Sequence, residues 1–385
     1  MQKKYILDTN VLLNDPDCIL TLYNGSENEI YVPKHVLLEL DLLKTDVKKR
    51  HLALNAINSL IENKDIINFL DTHYISSKFK DRVDSFILDE IKLHKLDTGI
   101  LITNDKLLQL ESSLKNIESQ EYKEINPFKS ESEKYNGFDE NNTPNSFKWV
   151  DGKVLFNNEK LIDYNHDAWK IKPKNVYQNL AMELILNNKI DIVSIQSVAG
   201  LGKTTIALAC AFELVFFHKL FKKIYVLKPN VELGQSLGFL PGNIEDKLAP
   251  YYNYLDDIIN KLHNLRPCNK LFNEDNKTYN KSVFEILPIN FIRGRNIEHS
   301  VVIVDEMQNL TRMESRAILS RMGENVKCIC IGDTSQVDHM YLNNDNNGLN
   351  WLVKLFKGNT NYGHITLKGD KSRGPICDLV LKSGL

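Results

Sequence analysis

Two successive α/β domains are the architecture this sequence predicts, and three features predict it. Over residues 3–122, short apolar runs alternate with segments of helical periodicity. Over residues 126–146 the alternation stops in a polar stretch, NPFKSESEKYNGFDENNTPNS, punctuated by Pro, Gly and Asn. A second alternation of strands and helices then begins. The expected division is an α/β domain over 1–125, a polar linker over 126–150 and a second α/β domain over 151–385.

The chain has 385 residues, enough for two cores. Apolar residues make up 42% and charged residues 25%, an ordinary globular composition. The formal net charge is -2, which excludes a global basic excess, so any nucleic-acid surface must be a local patch. No apolar run approaches the ~20 residues that a membrane helix needs. At the N-terminus Asp8 interrupts the apolar stretch at once, which does not read as a signal peptide, and the expected setting is cytoplasmic. Cys18, Cys210, Cys268, Cys328, Cys330 and Cys377 form no CxxC pair, and most sit among Ile, Leu and Ala, as buried free thiols do.

In the first domain, residues 5–7, 30–32 and 100–103 read as buried strands, and 51–62 and 85–94 as helices. Carboxylates stand at the ends of these elements. Asp8 closes the first strand, with Thr9 and Asn10 after it, and Asp105 follows the strand 100–103. On a helical wheel Glu39 has Val36, Leu42 and Leu43 within ~60°. A charge on an apolar face costs several kcal/mol unless paired. Asp84 shares its face with Ile87, Leu88 and Ile91, whereas Asp41 points away beside Lys44. Singly, each acid could be a helix cap or a satisfied polar residue. As an inward set, Asp8, Glu39, Asp84 and Asp105 repel one another, and magnesium or manganese suits such all-oxygen ligands.

In the second domain the strands fall over 191–196, 224–227, 301–304, 328–331 and 364–367, with a helix over 205–217. Between the first strand and that helix lies Ser197-Val198-Ala199-Gly200-Leu201-Gly202-Lys203-Thr204-Thr205. Gly200 and Gly202 let backbone amides approach a phosphate, Lys203 reaches the β- and γ-phosphates, and the Thr204 hydroxyl serves magnesium. The pattern departs from G-x-x-x-x-G-K-[ST] in having Ser197 at the first glycine. Downstream, Val301-Val302-Ile303-Val304-Asp305-Glu306 sets two acids at the carboxyl end of a buried strand, where ligands bind in parallel sheets. Asp305 would hold magnesium and Glu306 would orient or deprotonate the attacking water. Gln336, after the strand 328–331, is placed to sense the γ-phosphate. Gln178 either bonds the adenine edge with both amide functions or is a surface residue at a helix entry. The nucleotide these features fit is ATP.

LGFLPG, IRGR, VVIVDEMQNL, IGDTSQVD and NNGL, occurring in this order, resemble the PhoH-like ATPases, relatives of superfamily 1 helicases, and the resemblance runs from about residue 178 to the C-terminus. The resemblance implies a RecA-like fold, ATP hydrolysis with magnesium, and RNA or another single strand as substrate. Lys228 stands where the family usually has an arginine before Pro229. An arginine finger is implied at Arg373, with Lys371 as the alternative, and with it a homo-hexameric ring. IRGR alone reads as a solvated loop; within the resemblance Arg293 and Arg295 become candidates for phosphate contact. In the first domain, Leu7-Asp8-Thr9-Asn10-Val11-Leu12, Tyr31-Val32-Pro33 leading to Glu39, and Thr103-Asn104-Asp105 resemble a PIN domain, which implies a metal-dependent single-strand endoribonuclease. Together the two resemblances imply an ATP-dependent RNA-processing enzyme in which a helicase or translocase ATPase is coupled to a nuclease. The alternatives are a PIN half that only binds, and a DNA-directed equivalent.

Overall fold

The computed structural model describes residues 2–369 other than 47–48, 72–82, 123–126, 129, 131–132, 142, 230–243, 274–277, 293 and 340–341, together with residue 374; for 51, 83–85, 244–252 and 290 it describes the backbone alone. Contacts divide the chain into two units, Met1–Ile125 and Asn126–Leu385.

The first unit runs β1 (Lys4–Leu7), α1 (Thr9–Asn14), α2 (Cys18–Tyr23), β2 (Glu29–Val32), α3 (Lys34–Leu43), α4 (Arg50–Glu62), β3 (Ile67–Phe69), α5 (Val83–Leu93), β4 (Ile100–Ile102), α6 (Lys106–Leu114) and β5 (Glu118–Gln120). The strands form a parallel sheet in the order β3-β2-β1-β4-β5. Ile6, Leu7, Ile30, Val32 and Leu101 are fully buried, because helices cover both faces of a parallel sheet and its central strands are apolar throughout. Leu7 lies opposite Ile102, so the chain leaves β1 and β4 at the same edge, and Asp8 and Thr103 emerge there together. β3 and β5 are the strands the sequence pattern does not predict. Both are three-residue edge strands whose side chains are largely exposed.

The second unit begins with an antiparallel meander of β6 (Phe147–Val150), β7 (Lys153–Phe156) and β8 (Lys160–Leu161). It continues through α7 (Val176–Leu186), β9 (Ile192–Gln196), α8 (Lys203–Phe212), β10 (Lys223–Lys228), α9 (Ile244–Leu265), β11 (Phe284–Pro288), β12 (Ser300–Val304), α10 (Arg312–Leu319), β13 (Val326–Gly332), α11 (Gly348–Phe356) and β14 (Tyr362–Thr366). The six strands β11-β10-β12-β13-β9-β14 pair in parallel in that order. Alternation sends Val193, Ile195, Val301, Ile303 and Ile329 to one core with α7 and α8, and Val302, Val304, Cys328 and Cys330 to another with Ile318, Leu349 and Leu352. Helices on both faces of a parallel sheet make this half doubly wound.

The described residues of the expected linker over 126–150 belong to this second unit and pack within it. Phe147 is fully buried and bridges to Phe138, and Tyr135 and Phe128 pack with Val353. Asn145 donates from Nδ2 to the carbonyls of Thr360 at 2.7 Å and Tyr362 at 2.9 Å. Widely spaced aromatics anchor the segment while its Asn, Asp and Thr residues satisfy turns, so it carries no periodic apolar face. The helix expected over 205–217 starts earlier, at Lys203, and passes at Glu213–Phe217 into a π-helical turn. Glu213 is buried there and accepts from the Trp169 amide at 2.9 Å, while Phe212 meets Trp169 and Phe216 edge-on. The five described cysteines are buried and free, and Cys377 lies outside the described residues. Among the described residues no helix is long and apolar enough to cross a membrane.

Candidate active site

The phosphate loop is clamped at its root before it turns into α8. Ser197 donates its amide to the Gly332 carbonyl at 3.1 Å, and Gln196 Nε2 donates to Thr334 Oγ1 at 2.8 Å. Gly200 and Gly202 have φ of 85° and 82°, a left-handed region that L side chains rarely adopt. A Cβ on Gly202 would meet Gln178 Nε2 at an ordinary 3.5 Å, so conformation rather than space demands that glycine. Ser197, in place of the usual first glycine, turns its hydroxyl onto the Val198 carbonyl at 3.0 Å. Lys203 is buried, with Nζ 3.5 Å from the Ser197 carbonyl, and so lies folded over the loop. Val198 is exposed, Leu201 is buried, and Ala199, Thr204 and Thr205 are half-buried around the helix start. A helix N-terminus, a cationic side chain and a hydroxyl fit the triphosphate and magnesium of ATP.

The acids stand two strands away in the same sheet. Asp305, 1% exposed, follows β12 and accepts the Glu306 amide on Oδ1 at 3.0 Å and the Tyr254 hydroxyl on Oδ2. Burial, reinforced by the Glu306 charge, holds its carboxyl above the ordinary range, while Tyr254, Lys228 and Lys203 pull the other way. Glu306 has φ 54° and ψ 41°, a strained conformation for a residue with a Cβ. Its Oε2 accepts from Gln308 Nε2 at 2.7 Å. Gln308 is fully buried, also donates to the Gln336 carbonyl at 2.9 Å, and accepts the Asp333 amide at 3.0 Å. The exposed Gln336 is thus joined to Glu306 through one amide side chain. Gln308 had no assigned role in the sequence, although it lies in the same VVIVDEMQNL run as the acids.

Gln178 is buried against the loop instead of lying on the surface. Its Oε1 accepts the Lys174 amide at 2.7 Å and its Nε2 donates to the Leu201 carbonyl at 2.9 Å. Both amide functions therefore already bond to protein, one of them to the phosphate loop. Arg295 is exposed and its guanidinium pairs with Glu285 at 3.3 Å, beside the Lys223–Glu285 pair at 2.6 Å. That contact ties the side chain to β11. Arg293, Lys371 and Arg373 lie outside the described residues.

In the first unit the carboxyl edge of the sheet gathers Asp8, Glu39 and the Thr103–Asp105 turn. Asp8 is buried and accepts from the Thr9 amide at 2.6 Å, Asn10 Nδ2 at 2.5 Å and Thr103 Oγ1 at 2.6 Å. Thr9 Oγ1 donates to Glu39 Oε2 at 2.6 Å, so one threonine bonds both acids. Glu39 is half-buried, and Leu42, expected to share its apolar face, is 55% exposed. The core side of α3 is instead His35, Val36 and Leu40. Asp105 Oδ1 caps α6, accepting the amides of Leu107 at 2.7 Å and Leu108 at 3.2 Å, and its own amide donates to Thr103 Oγ1 at 3.0 Å. Asp84 lies in α5 with its side chain outside the description. Among the described residues no group of three His, Cys, Asp or Glu side chains could hold a metal ion. Asp8 and Glu39 have the oxygen chemistry for a divalent cation, and Asp105 uses Oδ1 for the α6 cap.

Comparison with known proteins separates the same two halves. The family model described as "PIN domain" matches residues 5–123, and the one described as "PhoH-like protein" matches residues 170–383. Protein PhoH2 of Bacillus subtilis is 30% identical over 442 aligned positions, covering 97% of this chain and 98% of that protein. Protein PhoH2 of Thermobispora bispora is 31% identical over 57% of this chain and 49% of its own length. Protein PhoH of Escherichia coli K12 is 39% identical over 36% of this chain and 38% of its own. With a RecA-like P-loop sheet following a PIN-type sheet, this chain belongs to the PhoH-like family, in the form where a PIN domain is fused to the ATPase.

Proposed function

We propose that this protein processes RNA, its ATPase half moving along or unwinding a strand that its PIN half cuts. The observation that carries the motor reading is the hydrogen-bonded chain Asp305–Glu306–Gln308–Gln336, with Asp305 and Gln308 buried, at the same sheet edge as Lys203. Lys203 neutralises charge on the transferred phosphoryl, Glu306 takes the proton of the attacking water, and Asp305 and Thr204 hold magnesium, which supplies charge compensation on the phosphates. Gln308 links the Glu306 carboxylate to the Gln336 main chain, which couples the residue that activates water to the loop that carries the γ-phosphate sensor. A ring in which Arg373 completes the neighbouring subunit's site accounts for an arginine beyond β14. Mixing Arg373→Ala with Lys203→Ala subunits then restores part of the ATPase activity; no recovery with demonstrated subunit exchange removes the ring.

On the nuclease side, Asp8 and Glu39 are the residues proposed to hold magnesium or manganese, which supplies an activated water when bound. The substrate is single-stranded RNA. Labelled RNA incubated with the whole chain, with and without ATP and manganese, tests both halves: metal-dependent cuts support the nuclease, and ATP-dependent cutting of a hairpin supports the coupling. One observation favours a second reading, in which the PIN half binds without cutting. Asp105 is engaged as the α6 cap, and an RNA that is bound and never cut under any metal would establish that reading.

A further inference from the structure

Helix α9 brings one side chain to the ATPase acids that neither the phosphate loop nor the β12 motif supplies. Leu255, Ile259 and Leu262, spaced by four and three residues, are fully buried and anchor one face of α9 on the core. The Leu262 carbonyl also accepts the Trp169 indole N–H at 3.0 Å, which ties the C-terminal end of the helix to the core. One position before this anchored row stands Tyr254, half-buried, with its hydroxyl donating to Asp305 Oδ2. Lys228, at the end of β10, sets its Nζ 4.4 Å from the Tyr254 ring centroid. The ring is held between a cation on its face and a carboxylate at its hydroxyl. Oδ1 of the same carboxylate takes the Glu306 amide, so the carboxylate is oriented from both oxygens.

We infer that Tyr254 is a positioning residue for the ATPase reaction, with its hydroxyl holding the Asp305 carboxylate in the orientation that receives magnesium. The inference rests on Asp305 serving magnesium in ATP hydrolysis. A carboxylate at the end of a strand can rotate about its side-chain bonds, and a buried one without a donor on Oδ2 does so towards whatever polar group it finds. A neutral hydroxyl donor fixes the rotamer, and one oxygen can accept a second hydrogen bond from a metal-bound water. Lys228 acts one step further out, on the ring. Partners in this outer position characteristically change metal affinity ~10–100-fold when removed.

The test is Tyr254→Phe in the whole chain, which keeps the ring and its contact with Lys228 and removes the hydroxyl alone. With a non-hydrolysable ATP analogue bound, the manganese concentration for half-saturation of the analogue-dependent binding, read as the loss of free-ion paramagnetic resonance signal beyond that seen without the analogue, should rise ~10-fold or more. Turnover at saturating magnesium should fall much less than the half-saturating magnesium concentration rises. Lys228→Met, which leaves the hydroxyl in place, should move the same readout by a smaller factor. An unchanged manganese half-saturation in folded Tyr254→Phe overturns the inference. A parent chain that binds no metal with the analogue, or a Lys203→Ala chain that hydrolyses ATP normally, overturns the ATPase reading instead, so the two failures are distinguishable.

Discussion

Lys203 is the residue whose removal separates nucleotide chemistry from folding. Its ammonium is buried over the loop, and its hydrogen bond to the Ser197 carbonyl is long, at 3.5 Å, so the fold loses little without it. Lys203→Ala should lower ATP turnover by ~10²–10³ with the melting temperature nearly unchanged, checked by phosphate release beside a thermal melt. Gln308 sits at the other extreme. It is fully buried and bonds Glu306, Gln336 and the Asp333 amide at once, so its loss strands several polar groups. Gln308→Ala should cost ~2 kcal/mol of stability and lower turnover with little change in the ATP half-saturation. A denaturant titration that finds the variant as stable as the parent would show that water replaces the side chain.

At the scale of single elements, β14 carries a polar group its neighbours must tolerate. His364 is fully buried between β9 and Tyr135; its Nδ1 lies 2.6 Å from Ser194 Oγ and its Nε2 3.2 Å from Thr366 Oγ1. Burial pushes its pKa down from 6.5 to about 3, against partial compensation from backbone contacts at Ser194 and Tyr135. A depressed folded pKa means that the unfolded chain binds the proton first. The neutral imidazole thus contributes stability that is present above pH 6.5 and is lost as pH falls towards 3. The slope in that window approaches one proton, about 1.4 kcal/mol per pH unit. Urea titrations of the parent and of His364→Leu check it: the variant should be less stable at pH 7 and show a shallower acid limb. A second element-level effect lies at α10, where Thr311 and Glu314 form a capping box. Thr311→Ala should cost ~1 kcal/mol by the same titration.

For the whole molecule, the two chemistries should be separable by substitution, because the residues proposed for each lie in different units. Asp8→Asn should abolish metal-dependent RNA cleavage while ATP hydrolysis continues. Asp8 also accepts three hydrogen bonds, two of them on Oδ2, and an amide keeps acceptor capacity on one atom only. Stability of the first unit should therefore fall by ~1–3 kcal/mol, which a melt resolves from the second unit. Glu306→Gln should do the reverse, binding ATP without hydrolysing it and still cutting an unstructured strand. A gel with a single strand and a hairpin, run for each variant beside phosphate release, decides the matter. Hairpin cutting by Glu306→Gln at the parent's rate would show that the motor does not feed the nuclease.

The chemistry of the ATPase half was legible in the sequence because its signals are contiguous. A phosphate loop needs glycines, lysine and threonine within one turn, and a buried strand ending in two acids announces both the strand and the edge at which they emerge. The central strands were legible for the same reason, since burial on both faces leaves unbroken apolar runs over 301–304 in β12 and 328–331 in β13. Edge strands β3 and β5 and the 126–150 segment were not, because a half-exposed strand or an aromatic-anchored loop has no period to read. What only the tertiary structure decided is which polar groups meet. Thr103 reaches Asp8 across 95 positions of sequence, Tyr254 reaches Asp305 across 51, and Asn145 reaches the Tyr362 carbonyl across 217. Hydrophobic periodicity carries only the face of an element, whereas a hydrogen bond needs two atoms within about 3 Å. That distance depends on sheet register and helix packing, which no local stretch of the chain encodes alone.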